Sequence, residues 1–535
     1  MKKIVLALMA LMALILLGAG SLSGYHLARQ HALWEIGDRL GLVPAKDGRI
    51  QVHGEGQVEE ASLRDVEKSA RVFNDFFQQQ MGASLQRPVE LYVAGEEASY
   101  RAVLEREFSL TAEEAAQVAS ISGGWSGGSS HVTAINASAG VMSTYGDRYN
   151  TTSHELFHQL QHELSHGRDV EESSLFWLEE GTADYVGAAM SEHLGGKPLW
   201  KWQSDVKAAL ARAESTVKPE SIQHCSFEMR KKLMGKEYHT YQVADLMTSH
   251  LLQRFPEERR LPLLAEYFRA LAESEDGEAA FRQVFGMELP TFLEEYRTWW
   301  QGFVRQPVVF HYHGAGQESS HEQAVRKEME ASQAWLGRNL GSQLRGEYQV
   351  VLSPSEADMA KALVKYTEMP QKEAEQMAER SLCIENGGLL VLNAGHLQEA
   401  QQRAFSLGLL IMRTYERQML GSMKETGAAW LMHGAAYLAG VSRQAETSGY
   451  AVGDYLRTAR ENVRGRNLPR AVELQSEADF SRAVEKYGEK EIASLTELAA
   501  YELIRTHGWG SFARYLQEMA KTKDGSRAYR NIYGK

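Results

Sequence analysis

Two histidines stand four residues apart near the middle of the chain's first half. The run Ser153-His154-Glu155-Leu156-Phe157-His158-Gln159-Leu160-Gln161 sets His154 and His158 at helical spacing with a glutamate beside the first. On a helix the two imidazoles share one face, near enough to bind a single zinc ion. Glu155 is then carried beside that metal, where it can take a proton from metal-bound water. The pentad alone is only moderately specific, because short patterns of this kind arise by chance. Nineteen residues after His158, Trp177-Leu178-Glu179-Glu180-Gly181-Thr182-Ala183-Asp184-Tyr185 offers a carboxylate on a second helix as third ligand, Glu180, with Asp184 one turn later.

A second register competes with the first. His162-Glu163-Leu164-Ser165-His166 is also a HExxH, one turn further on. It abuts Gly167, a helix stop, and leaves too little chain before Glu180 for a helix to return. The first register is therefore preferred, and His162 and His166 are expected on a solvated or core-edge helix face. Glu179, next to the third ligand, is read as a surface or supporting residue. Cys225 beside His224 could bind metal, but a lone pair of this kind usually does not.

The two motifs together resemble the gluzincins, the thermolysin-like zinc metallopeptidases, in which HExxH is followed by a glutamate in a W-x-x-E-G-x-A-[DE] segment. The fuller wording, HExxH-x-L-Q and then W-x-E-E-G-T-A-[DE]-[YF], looks most like the bacterial collagenase peptidase domain. The interval from His158 to Glu180 is shorter than collagenases have and slightly longer than in thermolysin-like enzymes. The resemblance implies zinc ligands at His154, His158 and Glu180, a general base at Glu155, and Asp184 as the carboxylate that orients a ligand histidine. Gluzincins also need a donor for the oxyanion formed on the attacked carbonyl. Tyr238-His239-Thr240-Tyr241-Gln242-Val243-Ala244 opens a helix where such a donor is expected, with Tyr241 the first choice and Tyr238 and His239 behind it. Aromatic packing at a helix start is the alternative for each.

These residues need elements to hold them. Amphipathic spacing predicts a helix from Glu59 to Met81, ended by Gly82. Strands are expected at Val89–Val93 and near Val132–Asn136, separated by helices at Glu96–Glu107 and Thr111–Ser120. The glycine-rich Gly123-Gly124-Trp125-Ser126-Gly127-Gly128 reads as a loop, a flexible connection that could lie along a ligand cleft. From Thr151 onward the pattern is almost wholly helical. The expected class is α+β, mostly helical.

The chain also repeats itself. His53-Gly54-Glu55-Gly56-Gln57 recurs as His313-Gly314-Ala315-Gly316-Gln317, and Val89–Val93 with Glu97-Ala98 recurs as Tyr348–Leu352 with Glu356-Ala357. Phe176-Trp177-Leu178 with Gly181 meets Ala429-Trp430-Leu431 with Gly434, and Tyr267–Gly286 meets Tyr515–Gly534. The order is kept and the register barely drifts. The expectation is two tandem copies of one gluzincin-like domain, at 53–305 and 313–535. Carried across at the Trp177/Trp430 offset, His154 falls on Leu407, Glu155 on Gly408, His158 on Ile411, Glu180 on His433 and Asp184 on Tyr437. The second copy is thus expected to be a degenerate pseudo-peptidase that completes a cleft, holds substrate, docks a partner or serves only as structure.

Composition bounds the remainder. The 535 residues are 43% hydrophobic and 24% charged, a globular balance with room for more than one core. With 58 Lys+Arg against 70 Asp+Glu, a net charge of −12 and no long basic run, a nucleic-acid partner is not expected. Two cysteines, Cys225 and Cys383, exclude a disulfide framework and a thiolate zinc finger. Lys2 and Lys3, an apolar run from Ile4 to Leu17 and small residues to Ser23 have the order of a secretory signal, at 1–24. The uncharged stretch to Tyr25 is almost long enough to span a bilayer, so an uncleaved anchor stays open, and either way the rest is expected outside the cytoplasm. The sequence thus predicts an extracytoplasmic zinc metalloendopeptidase acting on a peptide or protein substrate. A catalytically idle envelope binding or scaffold protein is the alternative. Oligomeric state is not legible.

Overall fold

The computed structural model describes residues 49–127, 130–170, 172–213, 215–274, 276–313, 320–421 and 428–534. The N-terminal signal or anchor segment, Gly128, and the Gly314–Gln317 part of the repeat lie outside them. Among the described residues no helix is long and apolar enough to cross a membrane.

The first elements are β1 (Ile50–Glu55), α1 (Glu60–Met81), β2 (Val89–Ala94), α2 (Glu97–Phe108), α3 (Ala112–Ile121), β3 (Gly124–Gly127), β4 (Val132–Asn136), α4 (Tyr145–Ser165) and α5 (Phe176–His193). Then come α6 (Leu199–Arg212), α7 (Phe227–Leu233), α8 (Thr240–Leu252), α9 (Glu257–Ser274), α10 (Gly277–Phe285) and α11 (Leu289–Arg305). The order continues with β5 (Val309–His313), α12 (Ser320–Leu340), β6 (Glu347–Ser353), α13 (Glu356–Thr367), α14 (Gln371–Arg380), β7 (Cys383–Asn386), β8 (Leu389–Asn393), α15 (Ala400–Leu420) and α16 (Ala429–Ser448). It ends with α17 (Val452–Val463), α18 (Glu477–Tyr487), α19 (Glu489–His507), α20 (Trp509–Thr522) and α21 (Gly525–Tyr533). The class is α+β with helix dominant.

The chain forms two compact units, and the division is not a single cut: residues 196–214, which contain α6, belong with residues 297–535. In the first unit the sheet runs β1-β2-β4-β3, with β1, β2 and β4 parallel and β3 antiparallel at the edge. In the second it runs β5-β6-β8-β7 with the same directions.

Local chemistry explains the elements that matter most. In β2, Val89, Leu91 and Val93 are fully buried, the alternation of a strand with one face on a core. Helix α1 stops where Gly82 takes a left-handed φ of 63°. Helix α4 starts at a capping box in which Thr144 accepts from the Asp147 N–H and Asp147 accepts from the Thr144 N–H. It stops at His166, whose φ is 56°. Its Leu156, Phe157 and Leu160 are wholly buried, and Phe157 packs on Phe77 and Phe268.

One expectation fails outright. The glycine-rich run is not a loop, because Gly124–Gly127 forms β3, paired antiparallel to β4 with Trp125 opposite Ala134. Glycines weaken a strand's own propensity, but the sheet edge and helix α4 supply what the local sequence lacks. Strand β1 was not foreseen either.

Candidate functional site

Helix α4 presents two working faces, each at four-residue spacing. One, carrying His154 and His158, is turned to α5. The other, carrying Glu155 and Gln159, is turned to β3. The Gln159 amide donates to the Ser126 hydroxyl at 2.7 Å and the Val132 carbonyl at 2.9 Å, pinning β3 and β4 to the helix. A Cβ on Gly124 would fall 2.5 to 2.7 Å from the Glu155 side chain, so only glycine lets the strand backbone lie against that carboxyl.

The partner face is brought in by α5 and α8. Gly181 makes this possible: a Cβ there would meet the Ala244 carbonyl at 2.2 Å and the Thr248 hydroxyl at 2.4 Å. Close approach of α8 sets the Tyr241 ring 6.2 Å from the His154 ring. Tyr238 ends the short turn before α8, its carbonyl accepting from the Val217 N–H, and His239 takes a left-handed φ of 52° as the residue before the helix. Of the three candidate donors, Tyr241 is the one this geometry brings into ring contact with His154.

At the centre the Nε2 atoms of His154 and His158 stand 3.0 Å apart, and Glu180 Oε2 stands 3.6 Å from each. Tetrahedral ligands 2.0–2.1 Å from a zinc ion lie about 3.3 Å apart, so these spacings bracket the required value. Glu180 Oε2 is buried with no hydrogen-bond partner in the described structure. A carboxylate oxygen left so at the meeting point of two imidazole nitrogens fits a cation ligand. Among the described residues, His154, His158 and Glu180 are the group of metal-binding side chains whose ligand atoms converge.

Behind the three converging side chains lies an orienting layer. Asp184 Oδ1 takes the Nδ1 side of His154 at 2.9 Å, and Gln161 Oε1 takes that of His158 at 2.6 Å. Each ring thereby turns its Nε2 inward. Gln161 is itself locked, donating to the Glu179 carbonyl and the Thr182 hydroxyl at 2.8 Å each. Glu179 is buried and ion-paired to Arg230, whose guanidinium also donates to Ser174 Oγ at 2.8 Å, so it braces the start of α5.

The electrostatics are those of a site short of positive charge. Burial pulls His154 down, yet Asp184 and Glu180 outweigh it and hold the ring well above its ordinary range. His158 is opposed by burial in the same way and still rises to about 9 beside Glu180. Burial raises Glu180, but the two imidazoles overcome it and hold the carboxyl far below the usual range. Imidazoles pushed up and a carboxyl pushed down at one point mark a place that favours positive charge. Burial pushes Glu155 up, against the pull of the two histidines. Burial, with Glu180, Glu155 and Asp184, raises the Tyr241 phenol well above its ordinary value, so it stays an O–H donor.

One expectation about the remaining histidines needs correction. His162 is neither solvated nor at a core edge: it is 3% exposed and its Nδ1 stands 3.1 Å from Asp169, a buried structural contact after the helix turns back. His166 is exposed at the helix end. Cys225 and His224 do not form a pair, since the thiol faces the Ser221 carbonyl and the imidazole faces Glu278. The sequence reading gave no role to Gln161, Gln159, Gly124 or Arg230. Gln161, three residues after His158 on the same face, carried a signal; the others act across tertiary contacts with none. Asp245, one turn beyond Tyr241, was also missed, and burial and Asp184 hold its carboxyl well above the usual range.

In the second unit, Leu407 and Ile411 are buried in an apolar cluster, and His433 lies between Arg413 and Glu477, stacked on Phe480 at 3.8 Å.

Comparison with known proteins adds little. No protein-family model matches the sequence, and no curated protein matches it. Among solved structures, native yeast LTA4 hydrolase aligns with a TM-score of 0.31 and 12% identity over 85% of this chain and 66% of that one. Yeast LTA4 hydrolase in complex with bestatin aligns with the same score and identity over 84% and 65%. The chain thus spans just under two thirds of those chains, and likeness at this level assigns neither fold nor activity.

Proposed function

We propose that this chain is an extracytoplasmic zinc-dependent endopeptidase of the gluzincin kind, with motif wording closest to the collagenase-type peptidase domain and chemistry confined to the first unit. The observation that carries the reading is the convergence of His154 Nε2, His158 Nε2 and a buried Glu180 Oε2 that makes no hydrogen bond. His154, His158 and Glu180 would hold a zinc ion, which would supply Lewis acidity for the scissile carbonyl and the attacking water. Glu155, its proton affinity raised by burial, takes the proton from that water and later passes it to the leaving amine. Tyr241 donates its O–H to the developing oxyanion. Asp184 and Gln161 keep both rings turned inward.

A peptide substrate suits the surroundings. Strand β3 is the edge of its sheet and runs past Glu155, so an extended chain can add alongside it by strand pairing. The extracytoplasmic part rests on Lys2, Lys3 and the apolar run that follows. The second unit, with Leu407 and Ile411 where a repeat places His154 and His158, takes no part in hydrolysis.

Metal analysis and a paired variant test this. The purified chain should carry one zinc, and His154→Ala with His158→Ala should remove it. Glu155→Gln should keep the zinc and lose about 10²- to 10⁴-fold in turnover. A chain without zinc, or a Glu155→Gln enzyme of normal rate, refutes the proposal and leaves the idle binding protein.

A further inference from the structure

The second unit contains a groove with no part in the proposed hydrolysis. It is an open, shallow groove of about 370 Å³ and lies between α12, the end of α16 and the start of α20. Its walls carry Trp335, Trp509 and Tyr450, with Asn339, Ser442 and Glu446. Trp509 stands edge-on to the buried Trp335, centroids 5.1 Å apart, and is itself half-buried. Helix α16 ends at Gly449, whose φ of 78° turns the chain so that Tyr450 follows at the rim. Tyr450 is 63% exposed, an unusual state for a large aromatic side chain, and Tyr455 backs it at 6.3 Å.

The polar groups determine what fits. The Asn339 amide nitrogen donates to the Trp335 carbonyl at 2.9 Å, which leaves its Oδ1 as an acceptor. The Ser442 hydroxyl donates to the Leu438 carbonyl at 2.7 Å, which leaves its lone pairs. Glu446 only accepts. Trp509, Tyr450 and the second Asn339 N–H add donors to the same walls, so the groove asks for a ligand that both donates and accepts hydrogen bonds. A proline-rich peptide, the usual guest of aromatic grooves, offers chiefly acceptors. A cation would suit the rings and the carboxylate. However, Glu446 is already ion-paired to both Arg338 and Arg443, and Arg443 also pairs with Glu328, so the local charge is balanced. What remains is a neutral molecule with apolar C–H faces to stack on Tyr450 and Trp509 and hydroxyls to donate to Asn339, Ser442 and Glu446.

We infer that this groove is a binding site for a neutral oligosaccharide, independent of the metal site in the first unit. The test uses the full chain, titrated with maltotriose, cellotriose, mannotriose and chitotriose by calorimetry and by tryptophan fluorescence, since Trp509 reports directly. At least one sugar should bind saturably with Kd of about 1 mM or tighter, and Tyr450→Ala should weaken it about tenfold. Tyr450 is exposed enough for that variant to fold, and its zinc content and melting temperature should match the parent's. The inference is overturned if none of these sugars binds at about 10 mM. It is also overturned if binding ignores Tyr450→Ala, or if choline or a polyproline peptide binds in a Tyr450-dependent way while the sugars do not.

Discussion

At the scale of single residues, the site separates groups whose atoms converge on one point from groups that aim them. His154, Glu155 and His158 were legible because a helix converts four-residue spacing into one face, and Glu180 and Asp184 because a second motif follows at the right remove. Gln161 carries the same kind of duty for His158 that Asp184 carries for His154, at 2.6 Å against 2.9 Å. Asp184→Asn and Gln161→Leu should each therefore weaken zinc binding by about 10- to 100-fold without unfolding the chain. Competition with a zinc chelator measures this, and unchanged affinity in both would mean the rings are held by packing alone. Gly124 poses a different question. Its missing Cβ leaves room for Glu155, so Gly124→Ala must displace the carboxyl or the strand. That variant should keep its zinc and lose about 10² in kcat/KM, the cost of misplacing a reacting group by about 1 Å. No sequence pattern announces this contact, because it joins a strand to a helix about thirty positions away.

At the scale of elements, glycine decides how closely helices pair. Gly181 admits α8 against α5, and Gly434 admits α19 against α16, where a Cβ would meet the Thr496 carbonyl at 2.2 Å. Either position changed to alanine forces backbone apart, which should cost about 1–3 kcal/mol. Gly181→Ala should also displace Tyr241 and slow turnover, whereas Gly434→Ala should lower a melting transition and leave zinc and activity intact. Equal effects on activity would contradict the separation of duties. Helices α4 and α15 differ in a telling way. Glu163 accepts from the Gln86 and Arg87 N–H groups at 2.7 and 3.0 Å. Glu416, its counterpart at the repeat offset, is buried with both oxygens lacking a hydrogen-bond partner in the described structure, and burial pushes it up to about 8. An acid whose folded pKa lies above its unfolded value stabilises fully below the latter, near 4.5, and loses that contribution as pH rises through about 8. Glu416→Gln should accordingly raise the melting temperature at pH 8 relative to the parent and change it little at pH 4. Thermal scans at the two pH values decide it. The helices around these residues were readable from periodicity and stops, as at Gly82. Strand β3 was not, because its stability comes from Gln159 and β4 rather than from its own glycine-rich residues.

At the scale of the whole molecule, the two units carry the same strand order and directions, and the paired glycines 181/434 and 187/440 close helix on helix in both. The matched segments in sequence led to the expectation of two copies, and the like strand orders are what the structure sets beside it. What could not be read is the placement of α6, since amphipathic spacing says that a helix exists but not which core it joins. Residues 196–214 pack with the second unit: Trp200 stacks on His313 at 4.3 Å and touches Tyr366, Lys207 pairs with Glu347 at 2.9 Å, and Lys201 is 1% exposed. A fragment ending near Val304 keeps every proposed ligand, the base and Tyr241, so it should still bind one zinc. It also strips α6 of the neighbours that bury Trp200 and Lys201. The fragment should therefore bind a hydrophobic dye, and Trp200→Ser should reduce that binding while leaving the zinc in place. Such a fragment should retain some cleavage of short peptides, because the chemistry is complete within the first unit. The converse fragment, beginning near His311, should show neither zinc nor peptidase activity. Zinc-dependent cleavage by the second fragment alone would overturn the division of labour, and a first fragment that binds no dye would overturn the assignment of α6.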